Sequence, residues 1–478
     1  MCMKTYDIAI IGAGVIGAMT ARELSRYDLS ICLIEKENDV ARGASGANSG
    51  IVHVGFDAVP GTMKARFNTE GSQKMPSLCN ELGVSYLKNG SLVLGYSEKD
   101  RRVLRLLLER GRANGVTSLS IIEKQTLCDL EPAVSPDTVC ALYAPAGGIV
   151  NPFELVIAAV GNAMDNGVSL LLNYHVSGIK QESNGFIITD GSSPVFARRV
   201  VNAAGIYADS IAKLAGDDSF SLRPRRGEYI LLDKDCGNII RHTLFTAPDE
   251  SGKGILVTPT TEGNLLLGPT SVFSEDKSGT ETTVSGIEQI IAKSKLQAPD
   301  IPSGKAITSF AGLRAVGNTG DFIIGSNIPG LIHVAGIESP GLTSAPAIAD
   351  YIVNLLDESG ISLQKKKDFN PVRPPMNSFH KKSPAEKNKQ IHINPRYGRI
   401  VCRCEQISEG EIIEAMKRNP AARDTDGIKR RVRCGMGRCQ GGFCLPSVTE
   451  LLARELGIPF EVVTKSGQGS EICRERTK

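Results

Sequence analysis

The sequence predicts an α/β chain. A nucleotide-binding domain of alternating strands and helices carries an inserted, mostly antiparallel α+β domain, and a small helical module follows at the C-terminal end. Three observations predict this. The chain opens on a strand, a glycine-rich turn and a helix. Its middle carries short apolar runs with the alternation of half-buried strands. Its end crowds Cys402, Cys404, Cys434, Cys439 and Cys444 together.

Bulk composition sets the limits. The 478 residues, 41% apolar and 22% charged, suit a soluble chain of two or three domains. A net charge of +3 argues against a generally basic, nucleic-acid-binding protein. The charge is uneven: residues 361–400 hold ten Lys or Arg against two acids, while residues 1–360 carry a net −8. The opening "MCMKTYDIAIIGAG" lacks a signal-peptide pattern, and no apolar run reaches the roughly 18–20 residues of a membrane span. Twelve cysteines without a secretion signal point to a reducing compartment, where clustered thiols bind metal more often than they form disulfides.

The first element is "YDIAIIGAGVIGAMTARELSRY". Tyr6 to Ile11 form an apolar, β-branched strand, and Gly12, Gly14 and Gly17 fit G-x-G-x-x-G. Gly12 allows the tight turn, Gly14 lets a pyrophosphate approach the backbone, and Gly17 lets helix and strand pack closely. The helix N-terminus offers open N–H groups to phosphate. A second strand, "LSICLIEK", carries Glu35 about twenty residues past the glycines, where it can accept from a ribose. Small residues fill Gly43 to Gly50, so this loop, with Ser45, Ser49 and Gly50, can lie along a long cofactor. One glycine fingerprint and no second good one suits a single FAD in an extended pose.

The stretches "IIGAGVIG", "LIEKE", "ASGANSGIVHVGF", "VNAAGIYADSIA", "AGLRAV" and "VAGIESPGLTSAPAIA" resemble FAD-dependent oxidoreductases of the D-amino-acid oxidase superfamily. Within it, "NSGIVHVGFDAVPGTMKA", "RPRRGEYILLD", "LVTPTTEGNLLLGPT" and "SFAGLRA" are most similar to glycerol-3-phosphate dehydrogenases of the anaerobic bacterial type. L-2-hydroxyglutarate oxidases share "NSG-x-x-H" and "PG-x-x-KA". The resemblance implies a Rossmann-like FAD-binding domain over residues 1–360, with substrate-domain segments at about 60–90 and 222–310.

The remaining body elements follow in order. "YHVSGI" reads as a strand, and the resemblance sets the backbone of Val176 against the adenine. Arg199 to Asn202 form another strand, and the turn after it puts Ala203, Ala204 and Gly205 near FAD by the same analogy. In "LIHVAGIESPGLTSAPAIADYIVNLL" a strand ends at Gly336 and a long apolar helix begins near Leu342. Gly341, Leu342 and Thr343, at its N-terminus, can stabilise the negative charge of reduced flavin. The resemblance makes Arg314 an anion clamp, with its forked donors suited to phosphate or carboxylate. Arg225 is a second anion-site candidate, and His53 a base for the substrate hydroxyl or an orienting group. The reaction implied is oxidation of sn-glycerol 3-phosphate to dihydroxyacetone phosphate, with hydride passing to flavin N5. L-2-hydroxyglutarate, or an amine such as sarcosine or proline, stays open as the substrate.

Residues 361–397, with their prolines and basic side chains, read as an extended connector. Docking of this basic stretch to an acidic partner or membrane surface is the alternative to a solvated linker. Residues 398–460 form the tail module. A helix begins at Ser408 with Glu411 in a capping box, and a last amphipathic helix stops at Gly457. Residues 461–478 read as a trailing tail. Cys402-x-Cys404 and Cys439-x4-Cys444 offer four thiolates, which by spacing suit zinc or an iron–sulfur cluster.

"GMGRCQGGFC" is similar to the bacterioferritin-associated-ferredoxin type of [2Fe–2S] domain. That resemblance implies Cys402, Cys404, Cys439 and Cys444 as ligands and leaves Cys434 a bystander. Cys473 lies outside the module and reads as free. Implied partners are a small anionic substrate and an electron acceptor: a protein, a second oxidoreductase subunit or a quinone. A module for iron delivery or docking, without electron transfer, is the competing reading. The location implied is cytoplasmic, with peripheral contact at the inner face of the cell membrane left open.

Overall fold

The computed structural model describes residues 3–248, 254–325, 327–376, 378–473 and 475. Strand Lys4–Ile11 lies at the heart of the first sheet, paired in parallel with Ile31–Ile34 on one side and Val195–Asn202 on the other. Ser169–Leu171 extends the sheet beyond Ile31–Ile34, and Leu331–Ala335 runs parallel to Val195–Asn202. A hairpin, Gly178–Glu182 with Gly185–Thr189, closes the other edge. Residues 8–11 of the first strand, Ile31–Ile34 and Leu331–Ala335 are buried on both faces, which explains their unbroken apolar runs. Helices Val15–Leu24, Pro152–Asp165 and Gly341–Glu358 cover one face.

The second sheet is the roof of the site. Its order is Val272–Phe273, Leu222–Leu232, Leu265–Gly268, Leu256–Pro259, Thr243–Thr246, Ser91–Gly95, Cys140–Ala144 and Ser120–Glu123. Ala306–Gly317 pairs along the length of Leu222–Leu232. Every pairing is antiparallel except that of Ser91–Gly95 with Thr243–Thr246.

This corrects the expected boundaries. Segment 60–90 is not part of the sheet: Met63–Leu82 is a helix packed on Gly341–Glu358. Its apolar residues Phe67, Met75, Leu78 and Leu82 recur at helical spacing and enter the first domain's core. Gly71 makes the approach possible, because a Cβ there would strike the Thr343 carbonyl. The strands of the insert come from residues 91–144 and 222–317 instead.

The connector also differs from expectation. Pro384–Ile393 is a helix, closed by a capping box of Ser383 and Glu386 with Pro384 at its first position. Proline is tolerated there because that N–H has no helical partner. Upstream, Arg373 is only 5% exposed and reaches Asp165 at 3.1 Å and the Asn419 carbonyl. Arg373 makes the upstream part a strap between body and module, while helix Pro384–Ile393 buries none of its residues.

The C-terminal module holds helices Glu409–Lys417, Thr425–Val432 and Leu445–Leu456 around Ile412, Met416, Ile428, Val448 and Leu452. The Ser408–Glu411 capping box is present, and Gly457 stops the last helix at φ 66°. Residues past 460 fold back: Val463 is buried, and Thr425 N–H donates to the Thr464 carbonyl.

Candidate active site and cysteine cluster

Between the two sheets lies a cavity of about 1180 Å³. Gly12, at φ 106°, makes the first turn, where a Cβ would run into the Ala203 carbonyl. A Cβ on Gly14 would meet only Ser45 Oγ, at 3.1 Å, so the backbone there lies open to the cavity. Gly14, at the N-cap, offers no side chain to helix Val15–Leu24; Val15 N–H donates to Ser45 Oγ at 2.8 Å. The Glu35 carboxylate accepts from Ala13 N–H at 2.8 Å and Glu37 N–H at 3.0 Å. Burial pushes its pKa up, against the pull of those amides. A helix N-terminus with glycine at its N-cap, a glycine cradle and an acid beyond it fit the phosphates and ribose of FAD.

Glu35, Ser49, Val176, Ala204, Gly205, Gly341 and Leu342 also line the cavity. Val176, however, lies in a loop rather than a strand. Tyr174 N–H donates to the Glu35 carbonyl and Ser177 N–H to the Thr189 carbonyl, so the segment bridges two strands. Gly17, Gly50 and Thr343 stand behind the wall. Gly17 packs on the Gly12 carbonyl and Gly50 on the Val150 carbonyl. Thr343 Oγ1 donates to the Ile51 carbonyl at 3.3 Å and accepts from His53 N–H at 3.0 Å.

That bond ties the loop carrying His53 to the first turn of helix Gly341–Glu358. The imidazole lines the cavity 5.9 Å from the Phe245 ring. Arg225 and Arg314 are direct cross-strand partners, and both line the cavity. Arg314 Nη2 donates to the Thr270 carbonyl at 3.0 Å. Arg225 donates to Glu338, whose carboxylate also takes the Lys64 ammonium at 2.9 Å. Burial lowers the Arg225 pKa; Glu338 opposes this and Arg314 adds to it. Arg225 and Lys64 thus share Glu338, and Arg314, bound to a carbonyl, adds a further positive charge at the cavity wall.

Lys64 and Glu338 were not singled out by sequence reasoning. They lie inside "PGTMKA" and "GIESPG", but only the fold shows that these stretches converge.

In the module the five thiols form two groups. Cys404 and Cys439 lie 3.6 Å apart, Sγ to Sγ, toward the surface. Cys402, Cys434 and Cys444 are buried, with all three sulfurs within 4.8 Å of one another. The sequence reading set Cys434 apart; the fold puts its sulfur in the group. The Cys434 and Cys444 thiols hold the Cys402 pKa far below the ordinary thiol range, with help from the Gly435 and Glu405 amides. The Phe443 amide lowers the Cys439 pKa, joined by Cys404 and the Gly441 amide. Amides aimed at sulfur stabilise thiolate, the form a metal requires. A Cβ on Gly437 would collide with Cys404 Cβ, which accounts for the glycine in "GMG". Such a set fits an iron–sulfur cluster. Cys473 forms no disulfide.

A dinucleotide cradle at one end of a cavity and opposed guanidiniums at the other define a flavin-linked oxidoreductase, here carrying an iron–sulfur module. The chain belongs to the FAD dependent oxidoreductase family, whose model matches residues 7–355. The BFD-like [2Fe-2S] binding domain model matches residues 400–454. FAD and a [2Fe–2S] cluster are therefore its cofactors.

Across 475 residues, 99% of each chain, it is 45% identical to the glycerol 3-phosphate dehydrogenase of Caloramator mitchellensis. It is 33% identical to the glycerol 3-phosphate oxidase of Mycoplasma pneumoniae, over 77% of this chain and 98% of that one. The solved structure of dithionite-reduced L-alpha-glycerophosphate oxidase from Mycoplasma pneumoniae, with FAD bound, superposes at a TM-score of 0.74. It is 33% identical and covers 78% of this chain and 99% of that chain. Among the described residues no helix is long and apolar enough to cross a membrane.

Proposed function

We propose that this chain is an FAD-dependent dehydrogenase of sn-glycerol 3-phosphate. The observation that carries the reading is the cross-strand pair Arg225–Arg314, facing the cavity beside Lys64 with Glu338 as the acid between them. Excess positive charge of this kind suits a phosphomonoester dianion. FAD, when bound, supplies the two-electron oxidant, and the [2Fe–2S] cluster a one-electron relay.

The protein's own groups do the positioning. Arg314 and Arg225 bind the phosphate. Glu338 holds Arg225 and Lys64 in place before substrate arrives. An imidazole nitrogen of His53 takes the proton of the C2 hydroxyl. The first turn of helix Gly341–Glu358 offers its positive end to charge developing beside it. Tyr229, Phe245 and Leu256 line the roof side and exclude water. In the module, Cys402, Cys404, Cys439 and Cys444 hold the cluster. An electron-acceptor protein is the partner this arrangement requires, and the basic strap is a place for peripheral membrane contact.

The test is anaerobic titration of the purified chain with glycerol 3-phosphate, L-2-hydroxyglutarate, sarcosine and proline, followed at the flavin absorbance. Bleaching by glycerol 3-phosphate is expected. Bleaching only by L-2-hydroxyglutarate or an amino acid overturns the substrate. Substrate-dependent reduction of the cluster, seen by EPR and lost in His53→Asn, excludes a module that serves for docking alone.

A further inference from the structure

The cluster assigned above takes four thiolates, two to each iron. The module offers five. Two thiolates on one tetrahedral metal, each about 2.3 Å from it, lie about 3.8 Å apart. Cys404 and Cys439, at 3.6 Å, match one such pair. The other iron then draws from Cys402, Cys434 and Cys444, all within 4.8 Å of one another. One thiol is left over.

Cys402 is not the surplus one. It is tied through a single residue to Cys404, and its sulfur lies within 4.8 Å of both Cys434 and Cys444. The choice lies between Cys434 and Cys444. Cys444 sits at the N-terminus of helix Leu445–Leu456. Cys434 follows Arg433, whose φ of 63° ends helix Thr425–Val432 and turns the chain toward the sulfurs. A buried cysteine often serves as a small apolar residue, and at 4% exposure Cys434 is buried enough for that. Packing alone does not call for a sulfur directed at two others.

We propose that Cys434 is a fifth, cluster-competent thiol: Cys402 and Cys444 hold the inner iron, and Cys434 replaces Cys444 when Cys444 is lost. The inference rests on the [2Fe–2S] reading of the tail. An unaltered chain without two irons and two sulfides per FAD, purified anaerobically, would defeat that reading first and this one with it.

The experiment uses the full-length chain and its variants C434A, C444A, C444S, C434A/C444A and C402A. Iron and acid-labile sulfide are counted per FAD, and EPR spectra are taken after dithionite reduction. C434A is expected to keep its iron with an unchanged spectrum. C444A and C444S keep their iron with shifted g-values, because a different sulfur is bound. C434A/C444A and C402A lose it. FAD content stays intact in all, showing that the body is folded. Loss of iron from both C444A and C444S overturns the proposal, since a replacement ligand must keep the module loaded. Loss from C434A alone overturns it too, because Cys434 would then be an obligatory ligand.

Discussion

Asp39→Asn removes the best-buried ion pair of the seam between the flavin domain and the cysteine module. Asp39 is 5% exposed. Its carboxylate accepts from both terminal nitrogens of Arg431 at 2.8 Å, and from Arg430 at 2.5 Å. Burial pushes its pKa up, but the hydrogen bonds and charge of Arg431 and Arg430 prevail and bring it from 3.8 down to about 2. That shift is worth about 2.5 kcal/mol at roughly 1.4 kcal/mol per unit. The substitution also strands a buried Arg431, and breaking such a pair costs about 3–5 kcal/mol. We take about 3 kcal/mol as the loss, a factor of about 150 in the docking equilibrium.

The assay is anaerobic stopped flow with glycerol 3-phosphate, read separately at flavin and cluster wavelengths. In D39N flavin bleaching keeps its rate, while cluster reduction slows and the strap becomes open to protease. The folded pKa is depressed, so the stabilisation is present above the unfolded value of 3.8 and lost as pH falls toward about 2. The Asp39 contribution is therefore flat from about pH 5 to 8. Cluster reduction and protease resistance both unchanged in D39N would refute the reasoning.

Arg314→Met is expected to lower kcat/KM for glycerol 3-phosphate by about 10²-fold, since truncating one partner of a buried charge pair costs about 2–5 kcal/mol; less than tenfold would remove Arg314 from the anion site. Gly437→Ala forces its Cβ into Cys404, so iron is lost while FAD content stays normal, as metal and flavin analysis will show. Burial, helped by the charge of Glu262, pushes the Glu154 pKa up to about 7. Its folded value is raised, so between about pH 4.5 and 7 the folded state binds the extra proton and stability falls as pH rises. Glu154→Gln flattens the decline in Tm over that range, and an identical slope in the variant would sink the assignment.

Much of the flavin site was legible because its signals are local. Gly12, Gly14, Gly17 and Glu35 fall on one strand–turn–helix–strand unit whose spacing is set by the phosphates it must meet. The substrate end is less legible because it is assembled from far apart. Lys64, Arg225, Arg314 and Glu338 come from four separate segments and converge only when the antiparallel sheet is laid over the first domain. Segment 60–90 was misplaced because its helical spacing went unread. Phe67, Met75, Leu78 and Leu82 recur at steps of three, four and eight, which no strand can bury on one face. The family resemblance leaves Cys434 a bystander; distance in the fold is what brings it to the sulfurs.

The charge asymmetry changes meaning in the same way. A −8 body ahead of a basic stretch and module looked like a tether with a solvated surface. Most cations of the stretch, Lys365, Lys367, Lys381, Lys389, Arg396 and Arg399, are exposed, while Arg373 and the module's own arginines join the parts. Arg373 of the strap is buried against Asp165 and Asn419, and Arg430 and Arg431 meet Asp39. Arg433 meets Asn264, and Arg438 meets Asp233 at the end of the longest pair of strands in the roof. Lys234, at that same end, runs the other way to Glu405 of the module. Guanidinium pairs are directional, so they fix orientation more strictly than an apolar patch of equal size would. A cluster module that receives electrons from one particular cavity needs a fixed orientation. Arg373 and the module's arginines are therefore placed where orientation is decided.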